Sequence, residues 1–290
     1  HQIATNSLKV YKEDFQVLKT IFSYYKTLPE FDVEGYIRID NTPSTNQPIP
    51  LQDRFIDEII NYAVLPDQRR HSLDKEAARH YIDLDRYYIK DIQYLTWENA
   101  ILKYSEDSLQ KQGIVPWNIQ TYFRQLKYAF LARDTIRIIK ISAELGHYVA
   151  DAHVPLHTTS NYDGQQTNQV GIHSFWESQI PELLQEKLDD WIGPAAYIPN
   201  VLTSTWDWVI ESHGMLTDLF NGEKIINARV PNSKKYKHNQ KGKNLEKMYS
   251  EHYIEAYHKQ LDNQVEKRYL ASIKHIGSLW YSAWLEAGEP

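Results

Sequence analysis

The 290-residue chain contains no cysteine. This excludes disulfides, thiolate metal ligands and a cysteine nucleophile, so any metal must be held by histidine, carboxylate and backbone groups. It does not decide the compartment, because exported proteins without disulfides are common. No run of about 18 apolar residues occurs, so no transmembrane helix is expected. A basic excess is missing too. The 32 Lys and Arg against 38 Asp and Glu leave a net charge of −6, which excludes a grip on duplex nucleic acid through a broad basic face. A local basic cleft, or metal ions holding the phosphate, would escape that argument. Strand-type alternation is scarce, and there are no internal repeats and no convincing linker. The start, HQIATNSLKVY, lacks Met and the charged and apolar regions of a secretory signal, and is read as a processed or trimmed N-terminus.

What is present is a globular composition. The hydrophobic fraction is 42%, and 21 Tyr and 8 Trp promise a core or cleft rich in ring faces. The periodicity is helical. Residues 1–26 have helix-compatible spacing up to Pro29, and LQDRFIDEIINYAVL places Phe55, Ile59, Ile60 and Ala63 on one face before Pro66. A helix is predicted from an N-cap at Thr96 to Gly113, another from Pro116 through Phe130, and a third from a cap at Asp134 until Pro155 stops it. HSFWESQIPELLQEKL, LTSTWDWVIESHGMLTDLF, NLEKMYSEHYIEAYHKQL and KRYLASIKHIGSLWYSAWL are also helical in spacing. The expectation is an all-α protein, residues 1–290 forming a single multi-helix domain with long loops at 28–50 and 222–244, the second a Lys-rich solvated segment.

The informative stretch is GHYVADAHVPLHTTSNYDGQQTNQVGIHSFWE, residues 146–177. Residues four apart share a helix face, so His147 and Asp151 project together near the end of one helix, and His173 and Glu177 do so at the start of the next. His157 lies between them. Nitrogen and oxygen donors in that pattern suit a divalent ion at about 2.0–2.2 Å. Isolated pairs of this kind are ordinarily surface ion pairs, but two pairs with an intervening Pro-Leu-His favour metal. His153 is read as packing, and His252 and His258 as a solvated polar face. His71, His213, His238 and His275 show no partner pattern.

HYVADAHVPLH followed by Gly-Ile-His-Ser-Phe-Trp-Glu resembles the zinc-dependent phospholipase C and S1/P1 nuclease superfamily, whose signature is His-x3-Asp-x5-His and then His-x3-Asp or His-x3-Glu. RHYIDLD, KYSEDSLQKQGIVPWNIQ and the terminal WYSAWLEAGEP extend the likeness, in particular to the bacterial phospholipase C-like branch. It runs from about residue 51 to the C-terminus; residues 1–50 match poorly. The resemblance implies an all-α fold with two or three Zn²⁺ in a cleft. His147, Asp151 and His80 would bind the first zinc, His157, His173 and Glu177 the second, and Asp151 would bridge towards a third. Glu177 in place of Asp is similar to the phospholipase branch.

There are two departures. The place of a further Asp ligand of the first zinc is taken by Leu65, with Asp67 two residues later as the candidate ligand and catalytic carboxylate. The family's N-terminal Trp is missing, which leaves His1 as the candidate for the third site. The implied activity is phosphodiester hydrolysis by a metal-activated hydroxide, phospholipase C-like, on a phospholipid head group. The alternatives are a single-strand nuclease, with Tyr162, Phe175 and Trp176 available for stacking, or a metal-binding member without catalysis. No stable nucleic-acid partner is expected, and the oligomeric state is left open. Family members work outside the cytoplasm, so the resemblance implies a secreted or periplasmic protein.

Overall fold

A computed structural model describes residues 51–70, 72–184, 192–241 and 244–290. The expected helix over 1–26, the loop over 28–50 and His1 lie outside the described residues. Helix α1 (Leu51–Ala63) buries Ile59 and Ala63. Pro66 does not simply end it. After one residue, Val64, it occupies the first turn of α2 (Leu65–Arg69), where its missing N–H has no intrahelical partner to lose. This single turn points Asp67, Arg69 and Arg70 at different neighbours.

The helix expected from Thr96 is two: α3 (Trp97–Tyr104) and α4 (Glu106–Gln112). Thr96 caps the first as expected, accepting from the Asn99 N–H at 3.3 Å. The break falls at Ser105, whose φ is +66° and whose hydroxyl accepts from the Ser108 N–H. A local serine cap of this sort competes with helix continuation and is not visible as a change of periodicity. Gly113 ends α4 at φ +89°, where an added Cβ would lie 2.1 Å from the Tyr81 carbonyl oxygen. That close approach pins the strap 78–83 to the turn: Ile114 N–H donates to Ala78, Val115 N–H to Tyr81, and Asp83 N–H to Gln112.

Helices α5 (Val115–Leu131) and α6 (Thr135–Ala152) form the central antiparallel pair, with Asp134 capping α6 through the Arg137 N–H at 3.0 Å. Helices α7 (Val201–Gly214), α8 (Leu216–Arg229), α9 (Glu251–Gln260) and α10 (Gln264–Glu286) follow. The segment 202–220, one helix by spacing, divides at Gly214 and Met215. α10 packs across α5 and α6, Trp280 donating to the Ser142 carbonyl at 3.0 Å. The apolar core is contiguous through these helices. No described helix is long and apolar enough to cross a membrane.

The expected loop at 222–244 is corrected. α8 runs on to Arg229, and an antiparallel hairpin, β1 (Tyr236–Lys241) and β2 (Asn244–Tyr249), follows. Tyr236 faces Tyr249, their rings stacked 5.1 Å apart, so an aromatic cross-strand pair closes a Lys-rich hairpin. NLEKMY is accordingly a strand, and α9 begins only after the Ser250 cap. The turn after Ile172–Ser174 is a wide π-turn, Phe175–Gln179. Pro181 has no N–H to give the Glu177 carbonyl, and a widened turn accommodates its ring.

Candidate metal centre

Two groups of imidazole and carboxylate converge where α2, the strap 78–83, the end of α6 and the π-turn meet. In the first, His80 Nδ1 lies 2.8 Å from Asp151 Oδ2, 3.0 Å from His147 Nε2 and 3.7 Å from Asp67 Oδ1. His147 Nε2 is 3.3 Å from Asp151 Oδ2 and 3.6 Å from Asp67 Oδ2. Asp67 is brought in by α2, and the Arg70 guanidinium stands 3.5 Å from its Oδ1. Leu65, at the aligned place, only opens the turn. The turn places Asp67, two residues after Leu65, within reach of His80 and His147.

The second group is His157, His173 and Glu177. His173 Nε2 is 2.6 Å from Glu177 Oε2 and 3.2 Å from His157 Nε2, which is itself 3.5 Å from Glu177. The tautomers decide what this group lacks. His157 Nδ1–H donates to the His80 carbonyl at 2.7 Å and His173 Nδ1–H to the Tyr162 carbonyl at 3.0 Å. With Nδ1 committed in this way, each ring turns its Nε2 towards the other and towards a carboxylate. Two Nε2 atoms and a carboxylate that share one point can hold a divalent cation, and ring donation from Nδ1 to a carbonyl is how ligating histidines are oriented. Burial pushes His157 down, but the Asp151 and Glu177 carboxylates raise it overall, as expected of a ring facing negative charge where a cation belongs. Among the described residues, Asp67 with His80 and His147, and His157 with His173 and Glu177, are groups that could hold a metal ion. Asp151 stands between them, its Oδ1 3.7 Å from His157 Nδ1.

Local structure explains the placement. Pro155 opens a 3-10 turn, Pro155–Thr158, that carries His157 off the end of α6. Asp163 accepts from the Gly171 and His173 N–H groups and so seats the start of the His173 turn. Asp85 accepts from the Ser160 N–H and hydroxyl and holds the 158–163 loop. Behind the first group lies a charged layer: Arg69 makes a bidentate pair with Glu144 at 2.9 and 3.0 Å, and the Tyr148 hydroxyl donates to Glu76 at 2.5 Å. Glu76 Oε1 faces His80 Nε2 at 3.8 Å.

A cavity of about 280 Å³ opens beside the second group, lined by His157, His173, Arg70, Tyr81, Asp83 and Tyr162 among others. Burial, helped by the nearby Asp85 charge, pushes the Asp83 carboxyl up to about 6. Of the three rings considered for stacking, Phe175 and Trp176 are fully buried and only Tyr162 is exposed at the cavity.

A family model described as S1/P1 Nuclease matches residues 42–265. The chain belongs to the S1/P1 nuclease family. That family lies within the phospholipase C/P1 nuclease superfamily, its fold is the all-α arrangement seen here, and its members are zinc-dependent. An S1/P1 nuclease is a metal-dependent phosphodiester hydrolase, and the coarse activity of this chain follows. No curated protein matches the chain.

Other histidines resolve differently. His153 points away from the metal groups: its Nδ1–H donates to Val149, and its Nε2 accepts from His275 Nδ1–H at 2.7 Å, with His275 stacked on Trp208. His213 donates to the Thr158 carbonyl at 3.0 Å. The partners of His213 and His275 lie 55 and 122 residues away in the chain, which is why no local pattern announced them. His252 is exposed, in keeping with a polar face, whereas the His258 side chain is only 12% exposed and lies 3.8 Å from Glu266, so the solvated reading does not hold for it. His71 and the side chain of His238 fall outside the described residues.

Proposed function

We propose that the chain is a zinc-dependent phosphodiester hydrolase in which Asp67, His80, His147 and Asp151 hold one ion and His157, His173 and Glu177 hold another. The observation carrying this reading is the convergence of His157 Nε2 and His173 Nε2 on Glu177 while both Nδ1 atoms donate to backbone carbonyls. Zinc held there supplies a Lewis acid for the phosphoryl oxygens and lowers the pKa of water towards about 7. The chain's own residues then set the geometry. Asp151 spans the two groups and keeps them at fixed separation, while the His80 carbonyl and the Tyr162 carbonyl lock the two Nε2 atoms inward. A third ion held with His1 belongs to the same proposal, as do export from the cytoplasm and a single domain over 1–290.

For the substrate, the cavity beside His157 and His173 supports a nucleotide end of a single strand. Arg70 suits a phosphate oxygen, Tyr162 offers a ring face, and a carboxyl titrating near 6 can donate as well as accept at a base edge. Glu177 favours the second reading, a phospholipase C-like action on a lipid head group. The zinc-loaded chain is to be offered single-stranded DNA, RNA and phosphatidylcholine in parallel. Nucleotide release without lipid turnover is expected. Lipid turnover alone would establish the second reading, and turnover of none by a zinc-replete chain would leave a binding protein.

A further inference from the structure

A second cavity, about 360 Å³, lies against α2, α5 and α6 and is lined by Arg69, Arg79, Arg137, Lys140, Tyr122 and Glu144 among others, none of them in the metal groups. Arg69 and Arg70 are adjacent in sequence yet line different cavities. In a chain of net charge −6, four cations around one hollow are a local reversal of sign. Their carboxylate partners are already committed. Glu144 accepts both Arg69 nitrogens and the Tyr122 hydroxyl at 2.9 Å, and Glu76 accepts from Arg79 at 2.9 Å and from Tyr148. These bonds fix two guanidinium planes at the wall; Arg69 is only 22% exposed.

Arg137 and Lys140 are different. Among the described residues neither side chain has an ion pair or hydrogen bond, and both stand exposed in the first two turns of α6. Cations there oppose the positive end of the helix dipole. Among the described residues no carboxylate is ion-paired with either, and an anion in the cavity would neutralise them.

We propose that this cavity is an anion site that takes a phosphate group, separate from the metal centre. Arg137 and Lys140 would supply the charge and the free donors that meet the phosphate oxygens, with the Arg79 guanidinium beside them, while Arg69, held by Glu144, forms the positive wall. The phosphate could come from the backbone of a bound strand or as the free ion; the chemistry at the cavity is the same.

The test is isothermal titration of the zinc-loaded full chain with inorganic phosphate, comparing wild type, R137A/K140A and a control pair elsewhere, K224A/K259A. Wild type and the control are expected to bind one more phosphate per chain than R137A/K140A, whatever the metal centre itself binds. Equal stoichiometry and affinity in all three proteins would overturn the site, as would an equal loss in R137A/K140A and the control, which would reduce it to general charge. Repeating the titration with a saturating single-stranded phosphorothioate oligonucleotide identifies the source. If the difference between wild type and R137A/K140A disappears, the strand's own phosphate occupies the cavity; if it persists, the free ion does. Because the readout is a difference between variants outside the metal groups, a chain that fails to hold zinc would still report on it.

Discussion

Asp67 is the residue on which the first metal group turns. Its carboxylate reaches both His80 and His147, although the aligned position belongs to Leu65. D67A is expected to weaken zinc at the first site by at least the ~10–100-fold that loss of an outer-shell partner causes, with a matching loss of phosphodiester hydrolysis. L65D should add no zinc, and elemental analysis of both variants checks this. Asp83 makes a pH prediction. Its folded pKa, raised to about 6 by burial and then by Asp85, lies above the unfolded value of about 3.9, so the folded state binds the proton more tightly. Its contribution is therefore favourable below about pH 4 and is lost as pH rises through about 6. D83N should raise Tm at pH 7 more than at pH 5, and an equal change at both would contradict the assignment. At this scale the sequence was legible where spacing within one helix carries the chemistry, as for His147 with Asp151 and His173 with Glu177. Glu76, Glu144 and His213 were not legible, because their partners are distant in sequence and no local pattern marks them.

Elements explain how those residues stay in place. Gly113 is the tightest constraint, since only a residue without Cβ fits against the Tyr81 carbonyl at φ +89°. G113A is expected to cost a few kcal/mol, of the order of 1–3 for strained backbone and more for the clash, and to lower zinc affinity because His80 rides on the displaced strap. Calorimetry and a zinc titration on the same sample measure both. Loss of stability with unchanged zinc affinity would show that the strap is not what positions His80. The helix caps at Thr96 and Asp134 and the end of α6 before Pro155 follow from capping chemistry and are written locally. The Ser105 break, the π-turn at Phe175–Gln179 and the β1–β2 hairpin are not, because each depends on one backbone group or one cross-strand pair that leaves the surrounding helical spacing intact. The junction of α6, α7 and α10 carries its own acid sensitivity. His275 is pushed down to about 4 by burial and the Arg268 charge, below its unfolded value of about 6.5. Its neutral form stabilises the fold above about 6.5 and that stability is lost as pH falls through about 4. H275Q should flatten the fall of Tm between those limits, and an unchanged slope would exclude this pair as its cause.

At the scale of the whole molecule, the candidate metal groups sit where α2, the strap 78–83, the end of α6 and the π-turn would otherwise bring uncompensated buried charge together. Zinc is thus expected to be part of the fold's stability as well as its chemistry. Ligand linkage gives about 4 kcal/mol when free zinc exceeds its Kd a thousandfold, so chelation should lower Tm by several degrees, read by scanning calorimetry with and without chelator. The all-α class was legible from periodicity throughout, while the basic cavity behind α2 was not, being assembled from α2, the 76–79 turn, α5 and α6. Most direct of all is zinc content measured on the same preparation as the rate of phosphodiester hydrolysis. The account predicts at least two zinc ions per chain, with H80A and E177A each removing one and abolishing the rate. Undiminished hydrolysis by a chain holding fewer than two would contradict it.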